Sequence, residues 1–157
     1  MKIQFWSIGK ANDGYVNDGI TDFTKRINKY FQADWLITPP PKNAAALSVI
    51  ELKKAEAQLI LNQLTKDDYL VLLDERGKQL SSVELSAFLQ QRANESTKRL
   101  IILIGGAFGV DDLVTKRANY TWSLSKLVFP HMLVRLILSE QIYRACTILK
   151  NEKYHHV

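Results

Sequence analysis

The sequence lacks several features that would place it outside the ordinary globular proteins. It contains a single cysteine among 157 residues, so no disulfide bond can form within the chain, and a reducing compartment is expected. No stretch approaches the roughly 20 apolar residues of a membrane-spanning helix. The first eight residues also lack the long apolar segment of a signal peptide. We therefore expect a cytoplasmic protein without a membrane partner.

The sequence also lacks long runs of residues with the same charge. Lysine and arginine number 21 against 16 acidic residues, which gives a formal net charge of +5, and no run of five or more like charges indicates a disordered basic arm. An excess this small permits a nucleic-acid partner without demonstrating one. No internal repeat or linker divides the chain, and its length suffices to bury a core. One domain over residues 1–157 is expected.

Apolar segments typical of buried strands alternate with segments of helical periodicity. The predicted strands cover residues 2–8, 35–38, 69–74, 99–104 and 120–123. The predicted helices begin near Tyr15, Ser48, Ser81, Asp111 and Pro130, and the last continues to about Lys150. Capping-box spacing supports two of these starts, at Ser48 with Glu51 and at Ser81 with Glu84. The alternation predicts an α/β fold with a mainly parallel sheet flanked by helices.

Ligands of parallel sheets bind beyond the carboxyl ends of the strands. Three predicted loops follow strands in this way, at residues 74–81, 105–110 and 124–130. The second begins Gly-Gly-Ala-Phe-Gly, which lets the backbone approach a ligand closely, although a plain tight turn is an equal alternative. It matches neither the dinucleotide fingerprint nor a phosphate-binding P-loop. The polar segment 74–78 fits either an active-site loop or a solvated turn.

The third loop breaks at Pro130 and restarts as a helix that carries His131 and Arg135. Residues four apart project from one helix face, so both side chains are expected beside this loop. Apart from Arg135, residues 132–138 are apolar around almost the whole helix, which requires burial on more than one side. A second subunit would cover that surface most simply, so a homodimer is predicted. A central core helix is the alternative.

All three histidines, His131, His155 and His156, lie in the last 27 residues. They lack the spacing and the cysteine or carboxylate support of a metal site, so no metal is predicted. Residues 151–157 are either a frayed tail or part of a site, since Tyr154 and both tail histidines can form hydrogen bonds.

Several segments taken in order resemble one family. They are Leu72-Leu73-Asp74, Ile104-Gly105-Gly106-Ala107-Phe108-Gly109, Trp122-Ser123-Leu124-Ser125, Phe129-Pro130-His131-Met132-Leu133-Val134-Arg135, Glu140-Gln141-Ile142-Tyr143-Arg144-Ala145 and Tyr154-His155-His156. The family is the bacterial 23S rRNA methyltransferases that modify N3 of a pseudouridine, minimal members of the SPOUT superfamily. The resemblance extends over the whole chain.

The resemblance implies a parallel α/β domain with a C-terminal trefoil knot, and a homodimer that binds S-adenosylmethionine among the knot loops. The implied cofactor contacts are Leu73, Gly105, Leu124, Ser125, Lys126, Leu127, Val128 and Phe129. The implied substrate is a pseudouridine of 23S rRNA within the assembled ribosome. The resemblance implies neither a membrane nor a metal, and it implies that His131 and Arg135 face the RNA side or the partner subunit.

The implied reaction removes a proton from N3 of the base. Arg135 is the first candidate to stabilise the resulting anion, or alternatively to hold a phosphate. His155 or His131 is a candidate to accept the proton, and Tyr154 is a further candidate in the tail. A non-enzymatic ribosome- or RNA-binding factor with the same fold is the main alternative. A nucleotide-binding α/β protein is a second one, disfavoured because no phosphate-cradling motif is present.

Overall fold

The computed structural model describes residues 1–156, which form a five-stranded sheet with helices on both faces. The strands are β1 (Lys2–Ile8), β2 (Gln32–Thr38), β3 (Tyr69–Gln79), β4 (Arg99–Ile104) and β5 (Tyr120–Ser123). The helices are α1 (Gly14–Ile27), α2 (Val49–Leu61), α3 (Ser82–Asn94), α4 (Asp112–Arg117) and α5 (His131–Leu149), with one 3-10 turn at Ala44–Ala46. The strand order is β2-β1-β4-β3-β5 and every paired strand is parallel. The predicted α/β class is confirmed.

Each face of the sheet has its own hydrophobic core. On one face Ile3 and Phe5 of β1 pack in a cluster that includes residues of α1, α3 and α5. On the other face Trp6 and Ile8 pack with residues of α2 and α4. Successive side chains of a strand point to opposite faces, so a strand covered on both sides must be apolar throughout. This is why the central strands appear as continuous apolar runs in the sequence.

The predicted loop over residues 74–81 is wrong, because β3 continues to Gln79. Leu73 of β3 is in register with Trp122 of β5, and Lys78 is again in register with Trp122 after an irregularity between them. Gly77 lies in this bulge, where an added Cβ would come within 2.7 Å of the Thr121 backbone. The turn-forming residues therefore make a bulge inside a paired strand, a long-range arrangement that local composition does not reveal.

The structure also differs from the sequence-based predictions in smaller ways, at the ends of strands and helices. β2 begins at Gln32, before the predicted start, because its polar first residues pair with β1. Pro130 is the N-cap of α5, not its first helical residue. The Ser81 capping box is complete, whereas Ser48 only accepts a hydrogen bond from the Glu51 amide. None of the helices within residues 1–156 has the length and apolar character needed to cross a bilayer.

Candidate functional site

A cavity of about 610 Å³ opens at the edge of the sheet where β4 ends, β3 passes its bulge and β5 leads to α5. Its size is typical of a small-molecule site. Seven of the eight residues expected to contact a cofactor lie in its wall. They are Leu73, Gly105, Leu124, Ser125, Leu127, Val128 and Phe129. The eighth, Lys126, is exposed and outside the wall.

Glycines bring the backbone directly to the cavity at the end of β4. A Cβ on Gly105 would lie 2.7 Å from Cγ1 of Val110, and a Cβ on Gly106 would lie 2.6 Å from Oε1 of Glu56. The amide of Gly109, at φ +84°, donates to the Gly106 carbonyl at 3.0 Å. Residues 105–109 therefore form a tight turn and also line the cavity. The sequence had left these two interpretations as alternatives.

The loop between β5 and α5 is held by its own serines. Ser123 Oγ donates to the Ser125 carbonyl at 3.0 Å, and Ser125 Oγ accepts from the Leu127 amide at 3.0 Å. Two apolar side chains of the loop nevertheless face solvent, since Leu127 is 70% and Val128 is 82% exposed. Exposed neighbouring apolar residues at a cavity mouth are typical of a surface that a ligand or a protein covers.

Asp74 and Arg76 form an ion pair at the cavity wall. Asp74 accepts hydrogen bonds from the Arg76 amide at 2.8 Å and from two guanidinium nitrogens at 2.8 and 3.0 Å. These bonds, with the guanidinium foremost, hold the pKa of the Asp74 carboxyl below its usual range. The charge of Asp74 is thus balanced locally.

His131 also lies in the cavity wall, at the first position of α5. Burial, and secondarily the nearby charge of Arg135, lower the pKa of its imidazole. The ring is therefore neutral at physiological pH and can accept a proton.

Titration of the His131 ring by NMR is expected to give a pKa below 6.5. The folded state resists protonation of the His131 ring. The neutral ring therefore makes its full contribution to the stability of the fold at pH values above the pKa of this histidine in the unfolded chain. That contribution is lost as the pH falls through the lowered pKa. Replacing Arg135 with methionine should raise the His131 pKa, since a repelling charge is removed. A pKa at or above 6.5 in the unmodified protein would contradict this description of the cavity wall.

The side chain of Arg135 turns inward, not toward RNA or a partner as the resemblance had implied. It is 1% exposed. Its Nε donates to Ser7 Oγ at 2.9 Å, and its Nη1 donates to the Lys10 carbonyl and to Asn12 Oδ1, both at 2.8 Å. Nη2 lies next to Gly9, 3.1 Å from where a Cβ would be. Arg135 therefore joins α5 to the loop after β1.

Two residues of the C-terminal tail, Tyr154 and His155, contact α5 of their own chain. Tyr154 donates to Glu140 at 3.0 Å, and Arg144 lies 3.2 Å from His155 Nδ1. Arg144 also pairs with Glu140. None of residues 154–156 lines the cavity. The chain thus brings His131 to the cavity but not Tyr154 or His155.

Two residues of α2 at this site were not found from the sequence. Lys53 lines the cavity, and Glu56 lies behind Gly106. Glu56 is buried beside Ala57 and Ile60, so an acid on the apolar face of a predicted helix was the available signal. Within residues 1–156 no group of three or more His, Cys, Asp or Glu side chains could hold a metal ion.

Comparisons with known proteins agree on one family. Residues 1–155 match the family model described as a predicted SPOUT methyltransferase. A protein named Ribosomal RNA large subunit methyltransferase H from Cytophaga hutchinsonii is 47% identical, over 99% of this chain and 100% of that protein. Proteins of the same name from Parabacteroides distasonis and Trichlorobacter lovleyi are 43% and 39% identical, over 99% of this chain and at least 99% of each relative.

Proposed function

The chain belongs to the SPOUT methyltransferase family, and from this we propose that it methylates N3 of a pseudouridine in the RNA of the large ribosomal subunit. The names of the relatives support RNA of the large ribosomal subunit as the substrate. The observation that carries the proposal is the cavity at the carboxyl edge, whose wall contains seven of the eight expected cofactor residues. A ribosomal substrate would place the protein in the cytoplasm.

The methyl donor of the family is S-adenosylmethionine, and the cavity fits it. The glycines at the end of β4 leave room for the backbone to meet the ligand. Leu73, Leu127 and Phe129 supply an apolar slot suited to an adenine ring, whose edges backbone groups would bind. When bound, the cofactor supplies a methyl group attached to a cationic sulfur.

His131 and Arg135 are the proposed catalytic residues near this cavity. N3 of pseudouridine is an imide nitrogen, so it becomes a good nucleophile only after losing its proton. A neutral His131 can take that proton directly or through water. Ser7, which Arg135 contacts, is in register with Ile104 at the end of β4, so the guanidinium lies along the same edge as the cavity. Arg135 itself is not among the residues that line the cavity, so we propose that its charge favours the anion of the base from beside the site.

We propose that Tyr154 and His155 act at the cavity of a second copy in a homodimer. Both residues are held away from the cavity of their own chain. The exposed Leu127 and Val128, together with partly exposed apolar residues at the start of α5, offer a surface for the partner. The trefoil knot implied by the family stays a prediction.

Shortening the chain after Lys153 should greatly reduce methyl transfer to ribosomes and leave cofactor affinity nearly unchanged, because the tail would serve the RNA side of the site. His155→Ala should show a smaller loss of the same kind. Single-turnover rates and calorimetric affinities measure the two effects separately, and His156→Ala is the matched control. Full turnover in both the shortened chain and His155→Ala would rule out the tail role.

The proposed function itself is tested by incubating the purified protein with methyl-labelled cofactor and separated ribosomal subunits. Label is expected in the RNA of large subunits and not in that of small subunits. With a charge of only +5 and no added RNA-binding domain within residues 1–156, the protein should label assembled particles much faster than naked rRNA, whose shape is not fixed. Absence of label from every RNA would favour a non-enzymatic RNA-binding factor.

A further inference from the structure

Phe108 is an exposed aromatic side chain in the wall of the cavity. Among the aromatic residues in the described range 1–156, only Tyr15 and Phe108 are exposed, at 77% and 57%. Tyr15 is not among the residues that line the cavity, whereas Phe108 is. An aromatic ring that a ligand covers removes a large apolar area from water. Phe108 therefore offers the cavity a contact surface that the chain itself leaves uncovered.

The ring is carried by a tight turn that fixes its position. The Gly109 amide donates to the Gly106 carbonyl at 3.0 Å, and Gly109 adopts a φ of +84°. The next helix begins directly after this turn, where Asp111 accepts a hydrogen bond from the Leu113 amide at 2.9 Å. A phenylalanine has only two side-chain torsions, so little freedom is lost when a ligand contacts its ring. Phe108 is thus a positioned apolar surface beyond the end of β4.

The expected cofactor contacts leave Phe108 free. Those contacts are Leu73, Gly105 and the loop over residues 124–129. Phe108 is none of them, although it lines the same cavity. Phe129, the other phenylalanine that lines the cavity, belongs to the apolar slot proposed for adenine. The second substrate must also enter this cavity, because the reacting atoms of a methyl transfer have to approach to about 3–3.5 Å.

We propose that the ring of Phe108 is the surface on which the splayed pseudouridine stacks beside the methyl donor. This inference rests on the proposed reaction. Enzymes that do chemistry on a base take it out of its own stack and hold it against aromatic or apolar side chains. Unpaired RNA bases are bound by aromatic side chains in the same way. Stacking covers the face of the base and leaves its N3 edge open, so His131 could still take the proton.

Single-turnover methylation of large ribosomal subunits tests this role, with the protein concentration varied to give a maximal rate and a half-saturating concentration. Phe108→Ala should lower the ratio of the two by about 5- to 150-fold, the effect of removing one base–aromatic stack. Phe108→Leu should show most of this loss, because it keeps an apolar side chain but no flat ring. Phe108→Tyr should keep nearly the full ratio. The calorimetric affinity for S-adenosylmethionine should not change in any of the three.

Tyr15→Leu is the matched control, since it removes the exposed aromatic ring that lies outside the cavity wall, and it should change neither measurement. A normal ratio in Phe108→Leu would overturn the stacking role, because an apolar side chain would then suffice. Weaker cofactor binding in Phe108→Ala would instead assign the ring to the methyl donor. Dissociation of a homodimer in Phe108→Ala, seen by sedimentation, would assign it to a partner subunit.

The variants should fold with nearly unchanged melting temperatures, because the side chain is exposed. If Phe108→Ala does not fold, the comparison of Phe108→Leu with Phe108→Tyr decides. Absence of label from RNA treated with the unmodified protein would refute the proposed reaction, and the stacking role with it. Normal labelling by the unmodified protein and by Phe108→Ala alike would refute the stacking role alone.

Discussion

Gly105→Val is expected to abolish measurable binding of S-adenosylmethionine while the protein stays folded. The first added atom would already lie 2.7 Å from Cγ1 of Val110, and the two further methyl groups would need more room. A loop at the end of β4 can shift outward to relieve the clash, so the cores on the two faces of the sheet are not disturbed. The shift would fill or deform the cavity that Gly105 lines.

Calorimetry with the cofactor measures the binding, and circular dichroism with a thermal melt measures the fold. Gly14→Ala is the matched control, since a Cβ at that glycine meets nothing within 4 Å and the residue is outside the cavity wall. This control should bind normally. Unchanged affinity in Gly105→Val would mean that the cofactor does not occupy this cavity.

Arg135→Met is expected to reduce the rate of methyl transfer by up to about 10²-fold, the lower end of the effect of removing a donor that touches a developing anion, because Arg135 lies beside the cavity and not in its wall. It should also lower the free energy of unfolding by about 1–3 kcal/mol, because Ser7, Asn12 and the Lys10 carbonyl lose a buried donor. The desolvated charge that disappears with the guanidinium offsets part of this loss.

The rate must be measured well below the melting temperature of the variant, in single turnover on ribosomes with saturating cofactor. Arg135→Lys is the informative comparison, because it keeps the charge but cannot reach three acceptors at once. It should recover part of the rate and little of the stability. A normal rate in folded Arg135→Met would restrict Arg135 to joining α5 and the loop after β1.

The sequence predicted the sheet well where structure is decided locally. Residues 100–104 are apolar throughout because β4 is central and buried on both faces, and Ser81 with Glu84 marked the start of α3 through a bond between near neighbours. The segment 74–79 was missed because its polar residues are typical of a turn. Only its pairing with β5, more than 40 residues later, makes it a strand.

The residues of the candidate site also differ in whether they could be predicted from the sequence. Gly105 and the loop before Pro130 could be recognised as candidate sites because glycine allows a close backbone approach and proline interrupts regular structure, and the resemblance then named their ligand. The inward turn of Arg135 could not, since its partner Ser7 is 128 residues away in the sequence and an arginine on a helix is normally exposed. Glu56 was missed for a similar reason, because only the folded chain brings α2 behind Gly106.

The central claim is tested most directly by identifying the atom that is methylated. Large ribosomal subunits from cells that lack the protein would be incubated with the purified protein and labelled S-adenosylmethionine, and their RNA digested for mass spectrometry. A methyl group on N3 of a single pseudouridine, absent from the reaction with Gly105→Val, is the predicted result. Label on another base, on a ribose or on no nucleotide would contradict the account.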